Sequence, residues 1–343
     1  MLCLQNGEKK SSRQGFGLMI LSGDIGGTNT RLALFETEGA YRKVSDAHFH
    51  SRDYPGLFSI VEEYLKQEKQ KISRACFAVA GPVHDGRCKL TNLSWSVDVR
   101  ELQQQLKIPV LLINDLEANG WGLRVLEPED FALLQRGNPR QVGNAALVSA
   151  GTGLGEAGLY WDGKKLNPFP CEGGHSDFAA RNPLESELLL FLQKMHGSHV
   201  SYERVVSGPG LLSLYEFLTQ SGHEKESEVV QEEMKKKDPA TVVSEWGRLK
   251  KDRACSRALD WFLSLYGAEA GNVALKFLAL GGIFLGGGIA PKLVDRMKEG
   301  KFLEAFLDKG RFRKLLETIP IRIVLNDETA LLGTAVYART KRY

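Results

Sequence analysis

The stretch Gly23-Asp24-Ile25-Gly26-Gly27-Thr28-Asn29-Thr30 lies between two apolar runs, Leu18-Met19-Ile20-Leu21 before it and Leu32-Ala33-Leu34-Phe35 after it. That order predicts a strand, a tight turn and a second strand. Much later the pattern returns. Ala145-Ala146-Leu147-Val148 runs into Ser149-Ala150-Gly151-Thr152-Gly153-Leu154-Gly155, and Ala157-Gly158-Leu159-Tyr160-Trp161 follows before a turn at Asp162-Gly163. A lone glycine turn is ordinary, because glycine is the default turn residue. Two in matching surroundings predict two related half-domains that address one ligand.

The chemistry of the turns narrows that ligand. Adjacent glycines let backbone N–H groups approach an anion closely. Asp24 at the mouth of the first turn would repel bare phosphate. It suits a hydrated magnesium ion, which prefers carboxylate oxygens and keeps much of its water shell. Together these features point to a nucleotide phosphate site that is not a P-loop. The run from Gly158 to Lys165 comes close to spelling one. Lys165, however, replaces the magnesium-binding Ser/Thr, and Pro168 and Pro170 forbid the required helix. The spacing of Gly151, Gly153 and Gly155 is wrong for a dinucleotide fingerprint.

At 343 residues the chain exceeds a comfortable single core, so two domains are expected. Hydrophobic content of 43% and charged content of 25% are those of a globular protein. Net charge is +3, and the densest basic run, Lys235 to Lys237, follows an acidic stretch from Glu224 to Glu233. It reads as a solvated helix face, so no nucleic-acid partner is expected. No apolar run approaches the ~18 residues of a membrane span. The five cysteines are odd in number and include no Cys-x-x-Cys, which argues against a disulfide framework or structural zinc and for the cytoplasm. Residues 1–17 are polar and read as a frayed extension, not a secretory signal.

Apolar spacing predicts helices over 57–70, 97–106, 116–126, 183–195, 210–219, 253–277 and 328–339, and strands over 75–80, 109–113, 278–285 and 320–325. Alternation of strands and helices indicates α/β architecture. Residues 222–241 are charged and poor in large apolar side chains, and read as a mobile surface segment. No low-complexity linker divides the chain. The expected domains are 18–125 with 326–343, and 126–325.

Several segments together resemble the bacterial-type glucokinase family, within the actin/hexokinase/Hsp70-like ATPase fold. They are Gly23 to Asn29, Ile113-Asn114-Asp115, Gly151 to Gly155, Glu172-Gly173-Gly174-His175, Glu203 to Gly210, and Gly287 to Pro291. The resemblance covers nearly the whole chain from Leu21 onward. It implies a two-lobed actin-like (ribonuclease H-like) fold with a cleft between the lobes. The two glycine turns (Gly23, Asp24, Ile25, Gly26, Gly27 and Thr28; Gly151, Thr152 and Gly153) would hold the ATP phosphates, with Asp24 toward Mg2+. Gly287 and Gly288 would border the adenosine. Asn114, Asp115, Glu172, His175 and Glu203 would bind D-glucose, and Asp115 would act as catalytic base. The family often forms homodimers.

The residues themselves are compatible with these roles. Asp115 ends an apolar strand, and phosphoryl transfer to an alcohol needs a carboxylate beside the hydroxyl proton. Asn-Asp is equally a common helix cap. Glu172 and His175 lie three apart after Phe169-Pro170 on a glycine-rich loop, where helical hydrogen bonding is not expected. Both side chains would then face a ligand. Cys171 stands where many relatives have glycine. The chain lacks the cysteine-rich zinc motif of the repressor/open-reading-frame/kinase family. The expected function is transfer of the γ-phosphoryl of MgATP to the 6-hydroxyl of glucose. A kinase for another hexose and a non-catalytic sugar- and nucleotide-sensing regulator are the alternatives.

Overall fold

The computed structural model describes residues 18–90 and 93–341, so the extension expected over 1–17 lies outside the described residues. The chain opens with β1 (Met19–Ile25), β2 (Asn29–Glu36), β3 (Lys43–His50), α1 (Leu57–Lys66) and β4 (Ile72–Val79). The short β5 (Arg87–Lys89) and β6 (Ser96–Asp98), α2 (Val99–Leu106) and β7 (Val110–Asn114) follow. A five-stranded sheet runs in the order β3-β2-β1-β4-β7, and β5 pairs with β6 apart from it. β1, β2 and β3 form an antiparallel meander, while β4 lies parallel to β1. β1 is apolar along most of its length because neither face is wet. Edge strand β3 alternates exposed with half-buried residues. In α1, Leu57, Ile60, Val61 and Tyr64 form the buried stripe that helical spacing predicts.

The remaining elements are α3 (Asp115–Gly122), β8 (Phe131–Gln135), β9 (Ala145–Ala150), β10 (Leu154–Trp161), β11 (Leu166–Cys171), α4 (Pro183–His196), α5 (Gly208–Gln220), α6 (Glu228–Met234) and α7 (Pro239–Arg248). They continue with α8 (Arg253–Lys276), β12 (Gly282–Gly286), α9 (Val294–Lys298), α10 (Lys301–Leu307), α11 (Arg313–Leu316), β13 (Ile321–Val324) and α12 (Thr329–Thr340). The second sheet runs β11-β10-β9-β12-β13-β8. Here β9, β10 and β11 are the antiparallel meander, and β12 lies parallel to β9. The topology of the first sheet is thus repeated. Both faces of this sheet are packed. Ala146, Val148, Ile283 and Leu285 share a core with Phe262 and Tyr266 of α8. Ala145, Leu147 and Phe284 belong to a second core flanked by Leu116 and Leu123.

The chain divides into two compact units, residues 1–113 with 334–343, and residues 114–333. The first crossing falls earlier than residue 125, and the second later than 326. α3 belongs with the second sheet, because Gly120 admits Pro168 of β11 and Gly155 of β10 admits the Leu116 side chain. α12 crosses α3 backbone to backbone. A Cβ on Gly333 would overlap the Ala118 carbonyl, and one on Gly122 would overlap the Thr329 carbonyl. The far end of α12 belongs to the first unit. There Arg74 of β4 donates to the Ala338 carbonyl at 2.8 Å, and Arg339 donates to the Gly39 carbonyl at 2.7 Å.

One expectation is corrected. Residues 222–241 are not an unstructured surface segment but contain α6 and the start of α7. Val230 is fully buried, with Met234 packed one turn later against the same core. Burying one valine is worth roughly 1.5–3 kcal/mol, enough to hold a short helix whose other faces are charged.

Candidate active site

In the first unit the glycine turn closes by a bond from the Gly26 amide to the Asn29 carbonyl at 2.9 Å. Ser51 braces it from outside. Its hydroxyl donates to the Gly26 carbonyl at 2.9 Å and lies 3.0 Å from the Thr30 hydroxyl. Its amide donates to the Thr28 carbonyl at 2.9 Å. Thr28 is exposed and Gly27 half-buried, while the Ile25 side chain is fully buried, so Ile25 can serve a ligand only through its backbone. Gly23 is accounted for by packing, since a Cβ there would lie 2.5 Å from the Phe77 ring. Asp24 stands opposite Arg31 across the β1–β2 pair. Burial raises its carboxyl pKa, with the Arg31 charge pulling the other way. A desolvated carboxylate of this kind would gain from a nearby divalent cation. Among the described residues no three His, Cys, Asp or Glu side chains converge as a metal cluster. A magnesium ion held by one carboxylate and otherwise by water and phosphate fits that arrangement.

In the second unit the corresponding turn closes from the Gly151 amide to the Gly153 carbonyl at 2.8 Å. It leaves the carboxyl end of β9, beside the carboxyl end of β12, the place where α/β sheets hold ligands. Gly287 has φ +79°, and a Cβ there would overlap the Ala150 carbonyl, so the two glycine segments lie backbone against backbone. Gly288 has no atom within 4 Å of a would-be Cβ, and at Gly151 the nearest is 3.9 Å away. Gly288 therefore faces open space, and Gly151 has room for a side chain only in ordinary contact with Gly288. Thr152 between the turn glycines is exposed.

Glu203 ties this turn to the rest of the candidate site. Its Oε2 accepts the Leu154 amide at 2.9 Å, and a Cβ on Gly153 would lie 2.5 Å from the same oxygen. Glu203 belongs to a 3₁₀ turn, Tyr202–Arg204, that leads through Ser207 into α5. Asn114 is the N-cap of α3, its Oδ1 accepting from Leu116 and Glu117 amides at 2.9 and 3.3 Å. Asp115 opens the helix and accepts the Leu116 amide at 2.9 Å. The capping role is therefore real, and it fixes both side chains at the carboxyl end of β7.

The Glu172–His175 loop differs from expectation. Gly173–His175 is a 3₁₀ turn, with the His175 amide donating to the Glu172 carbonyl at 3.0 Å. Spacing i to i+3 eclipses side chains in such a turn. The imidazole and the carboxylate come within 4.0 Å, and both are exposed. Cys171 ends β11, and burial holds its thiol above the usual range, which argues against reactivity. The run from Gly158 to Lys165 is the β10–β11 hairpin. Asp162 takes the Lys164 and Lys165 amides at 2.8 and 2.9 Å, so they do not cradle phosphate.

Two participants escaped sequence reading. Ser51 gave no signal beyond its place after a strand. Glu156 gave one, a charge inside the otherwise apolar β10. It is 2% exposed, and a Cβ on Gly173 would overlap its Oε2.

Residues 21–341 match the glucokinase family model. The glucokinase of Nostoc punctiforme is 42% identical, over 93% of this chain and 98% of its own. That of Escherichia coli is 35% identical, over 93% and 96%. Among solved structures, a glucokinase from an Antarctic psychrotroph superposes with a TM-score of 0.80 at 32% identity, covering 94% of this chain and 99% of the other. A glucokinase of the ROK family from Streptomyces griseus, solved with glucose and AMPPNP, reaches 0.64 at 20% identity, covering 94% and 100%, and speaks for the fold alone.

Proposed function

This chain belongs to the glucokinase family and is an ATP-dependent glucose kinase with the two-lobed actin-like fold, and on that premise we propose how its residues divide the transfer of the γ-phosphoryl group to the 6-hydroxyl of D-glucose. Asp115 accepts the hydroxyl proton as the oxygen attacks phosphorus. Asn114 orients the sugar through Nδ2, its Oδ1 being committed to the cap of α3. Glu172, His175 and Glu203 take further sugar oxygens. The observation that carries this assignment is the position of Glu203, whose carboxylate lies against Gly153 and the Leu154 amide. A sugar held by Glu203 is thereby next to the turn proposed for the phosphates.

Gly151, Thr152 and Gly153 receive phosphate oxygens through backbone N–H groups and the threonine hydroxyl. Gly287 and Gly288 flank the nucleoside, with Gly288 open for close approach. Gly23 to Thr28 serve the phosphates from the first unit. Asp24 would hold Mg2+, and the ion, when bound, would offset charge on the phosphates. We further place the protein in the cytoplasm as a homodimer. The four described cysteines form no disulfide, and no described helix is long and apolar enough to cross a membrane.

The test is a coupled turnover assay crossing glucose, mannose, fructose, galactose and N-acetylglucosamine with ATP, ADP and polyphosphate. Glucose with ATP should give the highest kcat/KM. A larger value for another hexose or donor overturns the assignment.

A further inference from the structure

Behind the Glu172–His175 loop lies a second pair of carboxyl groups that plays no part in the chemistry above. Glu156 of β10 and Glu269 of α8 are 2% and 0% exposed, and within hydrogen-bond reach of each other. Glu156 Oε1 is buried and receives no hydrogen bond, whereas Glu269 Oε1 faces the Lys276 ammonium at 3.6 Å. Two carboxylates offer only acceptors, so a bond between them requires a proton on one. Burial raises the pKa of both. For Glu156 it reaches about 8, with the Glu269 charge adding to the effect of burial.

Glu156 touches one proposed sugar segment directly, and Glu269 reaches the other through Asn272. Glu156 Oε2 fills the space above Gly173 that any side chain there would need. Glu269 accepts from Asn272 Nδ2 at 2.8 Å, and the same nitrogen lies 3.1 Å from the Tyr202 hydroxyl, next to Glu203. The loop and the Tyr202 segment are themselves joined, the Tyr202 amide donating to the Ser176 carbonyl at 3.0 Å.

We propose that Glu156 and Glu269, sharing one proton, are positioning residues that set the Glu172–His175 loop and the Tyr202–Glu203 turn for the sugar. The inference rests on those segments being the glucose site. Loss of the proton would leave two negative charges in a dry space and displace Gly173. The other ionisable groups facing the pair are known. Lys276 on α8 lies 3.6 Å from Glu269, and Lys309, after α10, donates to Asn272 at 2.6 Å. Tyr266 on α8 and Cys171 on β11 feel the Glu156 charge, and Tyr202 feels that of Glu269. Between the ordinary glutamate value and about 8, the folded chain holds a proton that the unfolded chain has released. Stability therefore falls as pH rises through that window and levels off above it.

The experiment follows glucose and ATP KM, kcat and thermal midpoint from pH 6 to 9.5 in the wild type, Glu156→Ala, Glu156→Gln and Glu172→Gln. In the wild type, glucose KM should rise above pH 8 while ATP KM stays flat. Glu156→Ala should raise glucose KM at pH 7 by roughly 10- to 100-fold, the scale of a misplaced contact. Glu156→Gln, whose amide supplies a donor without a titrating proton, should restore glucose KM and remove the alkaline rise. If Glu156→Ala does not fold, the pH profile of Glu156→Gln decides alone. An alkaline rise kept in Glu156→Gln, or one absent from the wild type, overturns the proposal. So does an unchanged glucose KM in Glu156→Ala while Glu172→Gln raises it. An unchanged glucose KM in Glu172→Gln instead removes the loop from the sugar site, and the proposal falls with it.

Discussion

In the turn between β1 and β2 the carboxylate is built into the strand itself, as Asp24, two residues before the first turn glycine. In the turn between β9 and β10 the corresponding position is Ser149, and the acid arrives from a separate segment as Glu203. The hairpins share a topology, yet they are braced differently. A neutral hydroxyl, Ser51, secures the first, and a carboxylate on the Leu154 amide secures the second. The first turn thus keeps one partly buried acid whose environment favours a cation. The second presents backbone, with Gly288 facing open space. On the proposed reading, duplicated architecture carries divided chemistry: an acid suited to a metal ion in the first unit, and anion and sugar contacts in the second.

That division can be broken by substitution, and the largest effect should come from the second unit. Asp115→Asn removes the proposed proton acceptor but keeps the shape of the α3 cap. Turnover should fall by ~10²–10⁴ with glucose affinity by calorimetry little changed. Near-normal kcat would take the base away from this strand end.

Asp24→Asn should lower kcat/KM for MgATP on the order of 10² and raise the magnesium concentration needed for half-maximal rate, leaving glucose binding alone. Its thermal midpoint should hold or rise, because the substitution removes a carboxylate that burial disfavours. A lower midpoint with an unshifted magnesium titration would mean that Asp24 serves the fold through Arg31 and not the ion.

Thr152→Val should have the smallest effect of the three. A hydrogen bond to a charged group is worth roughly 1.5–3 kcal/mol, or about 10- to 150-fold in nucleotide affinity. Glucose KM should not move. Unaltered ATP binding and kinetics would show that the second turn works through its backbone alone, which sharpens the contrast with Asp24.

Periodicity exposed the elements whose burial is one-sided or complete. β1 and β9 stand out as apolar runs, and α1 and α8 as apolar stripes. β3, β8 and β11 were invisible for different reasons. β3 is an edge strand rich in His, Ser and Asp, β8 is only half-buried, and β11 contains two prolines, Pro168 and Pro170. α6 was hidden because Val230 carries most of its burial. At the site, residues on strand ends or glycine turns could be found, since their chemistry and backbone setting coincide locally. The 3₁₀ turn at Gly173–His175 could not, because there Gly173 packs against Glu156, seventeen residues earlier in the chain. Nor could the partnership of Glu156 with Glu269, which only the packing of α8 under the sheet creates.

The path of α12 bears on how the protein is made. The first unit is completed by residues 334–343, which follow the whole second unit in the chain. The bonds from Arg74 to the Ala338 carbonyl and from Arg339 to the Gly39 carbonyl form only once this last helix exists. A ribosome adds roughly 5–20 residues per second, so residues 114–333 take on the order of tens of seconds to emerge. Throughout that interval the β3-β2-β1-β4-β7 sheet is outside the ribosome without its last helix. During synthesis the second unit is thus free to finish before the first, and the part of the molecule made earliest waits longest for its native contacts.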